Sequence, residues 1–331
     1  MNTMKWLLRR EFWEHKGAMF WAPLVAAALM FSILSVSVMY AGGKGEFNRN
    51  ISVNVEKSGE VTERTVVHTS IASLPAEDKA NIASAVAGGY VAIAAPLFAM
   101  LAVVSFFYCL GALHEERRDR SILFWKSLPV SDAQTVLSKV LTAAVVAPLI
   151  TITVGVFLSV LALTVVGIVA ALNGVNMFGP VMSNTKFYLA PFQLIGMLPV
   201  YVVWALPTIG WLLLVSSWAK SKVFLWAVGA PLLALGTLKW VSYLLGGSID
   251  MDWVSQNIVA RGLVGLVPGN WLPLAHVDKM ELAGSSGGAA MTEVFTASWM
   301  TLATPQALFG AVAGAAMIFA AIRIRRWKDE G

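Results

Sequence analysis

The densest group of ionisable side chains in this sequence lies in the stretch HEERRDRSILFWKSLPVSD, residues 114–132. Its charged residues include Glu115, Glu116, Arg117, Arg118, Asp119, Arg120 and Lys126, and its large apolar residues are Leu123, Phe124, Trp125 and Leu128. Large apolar side chains in a charged segment are typical anchors for a protein partner. The stretch therefore predicts a short water-exposed segment that binds a soluble protein, with an ordinary charged loop as the alternative.

The residue patterns of common catalytic sites are absent from the sequence. There is no G-x-x-x-x-G-K-[ST] phosphate-binding loop and no serine nucleophile elbow. The histidines at positions 15, 68, 114 and 276 have no metal-ligand spacing, and the single cysteine, Cys109, lies in an apolar run. We therefore predict that the chain is not an enzyme, with no catalytic residue, no metal and no cofactor of its own.

The composition places the chain in a membrane. Hydrophobic residues make up 57% and charged residues 13%, with a mean hydropathy of +0.70, whereas soluble domains hold about 25% charged residues. The net charge of +5 is then expected to mark cytosolic loops rather than binding to nucleic acid.

Six apolar stretches are long enough to cross a bilayer, which takes about 20 residues in a helix. They are roughly 18–41, 90–113, 139–172, 190–218, 222–245 and 304–322. The predicted fold is an all-α polytopic membrane protein forming one transmembrane domain over residues 1–331. Pro191, Pro199 and Pro207 predict kinks in the fourth span.

Most of the 24 basic residues fall at the ends of the spans that share a side with both termini. Because basic residues concentrate in cytosolic loops, both termini are predicted to be cytosolic. The first apolar run is predicted to be a retained signal anchor, since it begins late and is long enough to span.

Three segments outside the spans carry patterns of their own. In residues 1–17, apolar and basic residues fall on separate stripes of a helix, which predicts an interfacial helix on the cytosolic leaflet. The first outer loop, 42–89, predicts a small hairpin followed by a helix that starts near Ser73. The last outer loop, 246–303, holds an interrupted apolar piece and predicts a re-entrant or capping segment.

Residues 114–135 then predict a coupling segment that turns directly into the third span. Leu128-Pro129 ends one helix, and Ser131 with Gln134 matches the capping box that starts the next. This region resembles the segment after the second membrane helix of type-2 ABC exporter permeases. The matching features are Glu116-Arg117, Arg120-Ser121, Leu123-Phe124-Trp125, Pro129 with Ser131, and Lys139. The N-terminal RREFWEHK and the six-span layout are also similar, whereas the first outer loop is larger than is usual in the family.

The resemblance implies a half-permease of an ATP-driven exporter in the bacterial cytoplasmic membrane. It would pair with a second copy or a paralogue, and each half would bind a separate ABC ATP-binding subunit carrying the ATP and magnesium. The residues expected at the coupling site are Glu116, Arg117, Arg120, Leu123, Phe124, Trp125, Leu128 and Pro129. A hydrophobic or amphipathic substrate is expected. The alternative function is a membrane sensor or assembly protein that transports nothing.

Two patterns inside the spans have two interpretations each. Trp204, Trp211 and Trp218 recur every seven residues and, with Thr208, line a substrate path or else pack against lipid. The GxxxG sequence at Gly310 and Gly314 packs helices within one subunit or forms the dimer seam.

Overall fold

A computed structural model describes residues 3–44, 76–119, 130–246, 250–275 and 291–327. Helices and short connections account for all of these residues, and no β-strand occurs in the five described ranges. The predicted all-α class is therefore confirmed for this part of the chain. The predicted hairpin in 42–89 lies outside the described residues.

Within the five described ranges, six helices are long and apolar enough to span a membrane, as the hydropathy pattern predicts. They are α2 (Gly17–Gly43), α3 (Lys79–Arg118), α4 (Asp132–Leu172), α6 (Thr185–Trp218), α7 (Leu225–Leu244) and α11 (Pro305–Trp327). Four of them, α3, α4, α6 and α11, continue several residues beyond the predicted apolar runs.

Five shorter helices and a 3₁₀ turn at Thr301–Ala303 complete the described chain. The helices are α1 (Thr3–Glu14), α5 (Phe178–Met182), α8 (residues 251–264, in three consecutive helical segments), α9 (Trp271–Leu274) and α10 (Met291–Met300). The predicted N-terminal helix is thus present as α1. The first helical turn of α3 begins at Ala76, close to the predicted start, three residues before its spanning part.

Four of the six spanning helices contain a wide or tight irregular turn just before a proline. In α2, α3, α4 and α7 such a turn is followed by an Ala-Pro pair, with the prolines at positions 23, 96, 148 and 231. Proline has no N–H to donate and its ring displaces the carbonyl one turn earlier, so the irregular turn precedes it. In α6 the helix is interrupted at Met197, just before Pro199, whereas Pro191 and Pro207 lie within its two helical parts. Of the three predicted kinks, the structure therefore places an interruption at Pro199.

The two ends of the bundle differ in composition. We call the end that holds α1, the last turn of α3, the start of α4 and the end of α11 the terminal end. The opposite end, where α5, α8, α9 and α10 gather around the start of α6, is the loop end. The core between them is apolar and centres on α6, with Trp204, Ile209 and Leu212 almost fully buried.

The closest helix pair is α6 with α11. A Cβ added to Gly210 would lie 2.5 Å from the carbonyl oxygen of Gly314, and one added to Gly314 would lie 2.5 Å from the carbonyl carbon of Leu206. Glycine therefore lets the two backbones touch. The GxxxG sequence packs helices within one subunit, which confirms the first of its two interpretations.

Candidate coupling site

Four helices meet at the terminal end around a buried carboxylate, Glu11 of α1, which is 0% exposed. The Tyr108 hydroxyl of α3 donates a hydrogen bond of 2.8 Å to Glu11 Oε2. The Lys139 ammonium of α4 lies 3.0 Å from Glu11 Oε1. Buried charges are stable only when they are paired and hydrogen-bonded, and Glu11 has a partner on each oxygen.

A second buried carboxylate, Glu116 near the end of α3, continues this network. Its Oε1 lies 3.0 Å from Lys139 Nζ, and its Oε2 lies 2.5 Å from Arg325 Nη1 of α11. Arg325 also binds Asp132, the first residue of α4, with 3.1 Å between Nε and Oδ1. We call Glu11, Glu116, Asp132, Lys139 and Arg325 the ion-pair node.

The node holds both ends of the predicted coupling segment. Glu116 lies near the beginning of that segment and Asp132 near its end, and a single guanidinium, that of Arg325, binds both carboxylates. Arginine suits this position because its planar fork presents several N–H donors in fixed directions. The two chain ends are thereby kept at a fixed separation. The middle of the segment, residues 120–129, lies outside the described residues; it includes Arg120, Leu123, Phe124, Trp125, Leu128 and Pro129.

Arg117 anchors the same turn to the end of α6. Its Nη2 donates to the carbonyl oxygens of Ser216, at 2.5 Å, and Ala219, at 3.1 Å. The Ser216 hydroxyl in turn accepts hydrogen bonds from the backbone N–H groups of Leu113 and His114, at 3.1 and 3.0 Å. The two Arg117 bonds occupy carbonyls that the end of α6 leaves without helical partners.

The start of α4 has the capping box that the sequence predicts. The Ser131 hydroxyl accepts from the Gln134 N–H, and the Gln134 side chain accepts from the Ser131 N–H, both at 3.2 Å. The helix therefore begins at a fixed residue.

The charged side chains of the ion-pair node bind one another rather than solvent. Lys139 and Arg325 are 2% and 5% exposed, so solvent reaches little of the node. Each charged side chain of the node forms an ion pair with another residue of the same chain. Within the described ranges, no group of His, Cys, Asp and Glu has the proximity needed to hold a metal ion.

Sequence reasoning missed part of this node. Glu116 and Arg117 were predicted as coupling residues, and the structure places them as buried or half-buried anchors. Glu11, Tyr108 and Arg325 were not singled out. The signal for Glu11 is its position in the apolar stripe of α1, beside Leu7, which is also buried. A charge on an apolar helix face indicates a buried partner.

The predicted substrate-path residues bind neighbouring segments of the same chain. Trp204 is 1% exposed, and its indole N–H donates to the Thr301 hydroxyl at 3.1 Å. Thr208 donates to the Arg261 carbonyl at 2.8 Å and accepts from the Gly265 N–H at 3.1 Å. Trp211 donates to the Ala227 carbonyl at 2.9 Å. The contacts in the structure are packing contacts, and a role in substrate passage stays a prediction.

Arg261 fastens α8 to the bundle core. Its guanidinium carbon lies 4.5 Å from the centre of the Trp204 ring, a cation–π contact, and its N–H groups donate to the carbonyls of Gln306 and Ala307. Gly310 makes the space for it, since a Cβ there would lie 2.1 Å from Arg261 Nη2. Through Arg261, the predicted capping segment therefore contacts both α6 and α11.

We predict that Arg261→Ala and Gly310→Ala each loosen α8, costing about 1–3 kcal/mol because bonds to a buried guanidinium are lost. In the double variant the two losses should not add, because the alanine at position 310 no longer meets a guanidinium. Hydrogen exchange of residues 251–264 and the melting temperature measure the effect. Strict additivity would contradict the proposed contact.

No family model, no curated protein and no solved structure matches this chain.

Proposed function

We propose that this chain is the transmembrane subunit of an ATP-driven ABC exporter, which moves a hydrophobic or amphipathic substrate out of the cytoplasm. The single observation that carries the proposal is the Arg325 guanidinium bound to both Glu116 and Asp132. It anchors a charged, aromatic-rich segment between two spanning helices at both of its ends. A segment held in this way is suited to receive motion from a soluble partner.

The proposed orientation places the terminal end in the cytosol of a bacterium, with both chain termini there. Basic residues at this end, among them Lys16, Lys220, Lys222 and Arg326, support it through the positive-inside rule. Two exposed indoles, Trp6 at 43% and Trp13 at 54%, support an interfacial position of α1 on the cytosolic leaflet.

In the proposed mechanism an ABC ATP-binding subunit, carrying ATP and magnesium, binds the coupling segment. Phe124, Trp125 and Leu128 act as its apolar anchors. Displacement of the segment moves Glu116 and Asp132, and the node transmits that displacement to α1, α3, α4 and α11 together. Two copies of the chain, or this chain and a paralogue, form the complete permease.

The anchor prediction is tested by co-purification with a candidate ABC ATP-binding subunit from the same organism. Trp125→Ala should weaken the association by about 2 kcal/mol, roughly thirtyfold, because a large apolar contact is lost. Arg118→Ala is the matched control, since the Arg118 side chain is exposed and exposed ion pairs contribute about 0–1 kcal/mol. The melting temperature of each variant shows that the fold is unaffected.

A second variant separates binding from transmission. Asp132→Asn keeps every predicted anchor and removes the charge pair between the segment and Arg325. We expect the partner to bind while substrate-stimulated ATP hydrolysis falls. If Trp125→Ala retains the partner and the stimulation at the wild-type level, the coupling site is wrong. If the chain binds no ATP-binding subunit at all, a membrane sensor or assembly protein becomes the better interpretation.

A further inference from the structure

A cavity of about 370 Å³ lies near the loop end, between α3, α4, the first part of α6 and the turn before α9. Its volume falls within the range of about 300–1,000 Å³ that is usual for small-molecule sites. Nearly all of its lining is apolar, including Phe98, Ile152, Leu194, Val267 and Trp271. Apolar cavities exclude water and bind apolar molecules.

Small residues on one face of α3 create this space. Gly88, Ala92, Ala95 and Ala99 follow one another at intervals of three or four residues and all line the cavity. Ala92, Ala95 and Ala99 retain exposed surface, so the cavity is open to the outside of the protein. A narrow apolar cavity that is open at the surface of a spanning helix suits an alkyl chain that enters from the bilayer.

The Lys186 side chain lies at the rim of the cavity that faces the loop end. The Lys186 side chain is exposed, and its Cδ lies 3.7 Å from the position of a Cβ on Gly88, which lines the cavity. Its ammonium donates to the Ser84 hydroxyl at 3.1 Å. On the wall formed by α10, Glu293 is exposed next to the lining residue Val294.

We propose that this cavity binds the alkyl chain of a single-chain amphiphile whose anionic head group pairs with Lys186. The apolar walls accept the chain, and the Lys186 ammonium exchanges its bond to a neutral hydroxyl for a stronger bond to a carboxylate or phosphate. This is a binding property of the chain alone. It therefore stands apart from the ATP-driven transport proposed above.

Gly89 offers a way to fill the cavity without disturbing the fold. It lines the cavity, a Cβ there would meet no atom within 4 Å, and its φ of −111° is accessible to any residue. Gly236 of α7 is the matched control, because a Cβ there also meets no atom within 4 Å. It is not among the residues that line this cavity.

The experiment uses the purified full chain in lipid nanodiscs with photoreactive palmitate, and with a neutral monoacylglycerol bearing the same photoreactive chain. Palmitate labelling should be saturable and should map to residues 88–101 and 267–271. Gly89→Leu should weaken the binding of both probes by about tenfold, equivalent to about 1.4 kcal/mol. Gly236→Leu should leave both affinities unchanged.

A second set of variants tests whether Lys186 pairs with an anionic head group. Lys186→Gln should weaken palmitate by about tenfold and leave the monoacylglycerol unaffected, whereas Glu293→Gln should weaken neither probe. Ala99→Leu fills the cavity from a second position. It should weaken both probes as Gly89→Leu does, which separates filling of the cavity from a local change at Gly89. Unsaturable labelling spread over α2 and α7, or labelling unchanged in both filled variants, would overturn the cavity as a binding site. Equal loss of both probes in Lys186→Gln would overturn the anionic head group.

Discussion

Replacement of Lys139 by methionine should lower the free energy of unfolding by about 3–5 kcal/mol, the usual cost of removing one partner from a buried ion pair. The Lys139 ammonium lies 3.0 Å from carboxylate oxygens of both Glu11 and Glu116. Methionine fills a similar volume and carries no charge. Glu11, which is 0% exposed, would then keep the Tyr108 hydroxyl but lose its cation.

Thermal and denaturant unfolding of the purified chain in detergent measures this loss. Lys239→Met is the matched control, because Lys239 is exposed on α7 and its replacement should change the stability little. In the double variant with Glu11→Gln, the coupling energy between the two positions should be about 0.5–3 kcal/mol. A stability of Lys139→Met equal to that of the control would mean that the node does not hold the terminal end together.

Replacement of Gly314 by alanine should cost about 3 kcal/mol, at the upper end of the range for overpacking. A Cβ at this position would lie 2.5 Å from the carbonyl carbon of Leu206 and 2.7 Å from the nitrogen of Pro207. Both are backbone atoms of α6. They have no side-chain rotamer with which to move away, so α6 and α11 must separate.

The control for this variant is Gly236→Ala, where the added methyl meets no atom within 4 Å. Alanine is favoured over glycine in a helix by about 1 kcal/mol, so the control should be slightly stabilised. The two alanine variants are therefore expected to change the melting temperature in opposite directions. A gain of stability in Gly314→Ala would contradict the close contact between α6 and α11.

The positions of the six spans are a local property of the sequence. Lipid offers no hydrogen-bond partners to the backbone, so a sufficiently long apolar run forms a helix regardless of its neighbours. The capping box at Ser131 and Gln134 is local for the same reason, since its two bonds join residues three apart. Proline lacks the N–H of a helical bond, but the local rule does not select the site of the break, because α6 is interrupted before Pro199 and continues through Pro191 and Pro207.

The sequence predicted a close helix contact at Gly314 but not its partner, Gly210. A GxxxG sequence shows that some backbone approaches closely, but it does not say which one. The structure selects α6 of the same chain. Gly310 shows the same limit, because it faces the Arg261 guanidinium rather than another helix backbone.

The sequence by itself determined the membrane class, the helical spans, the helix starts and the place of the charged segment, because each depends on residues within a few turns of one another. Only the tertiary structure decided the partners of the buried charges. Tyr108 lies 97 residues from Glu11, and Arg325 lies 209 residues from Glu116. A buried charge must find an opposite charge in space, and that requirement places no constraint on the distance along the chain.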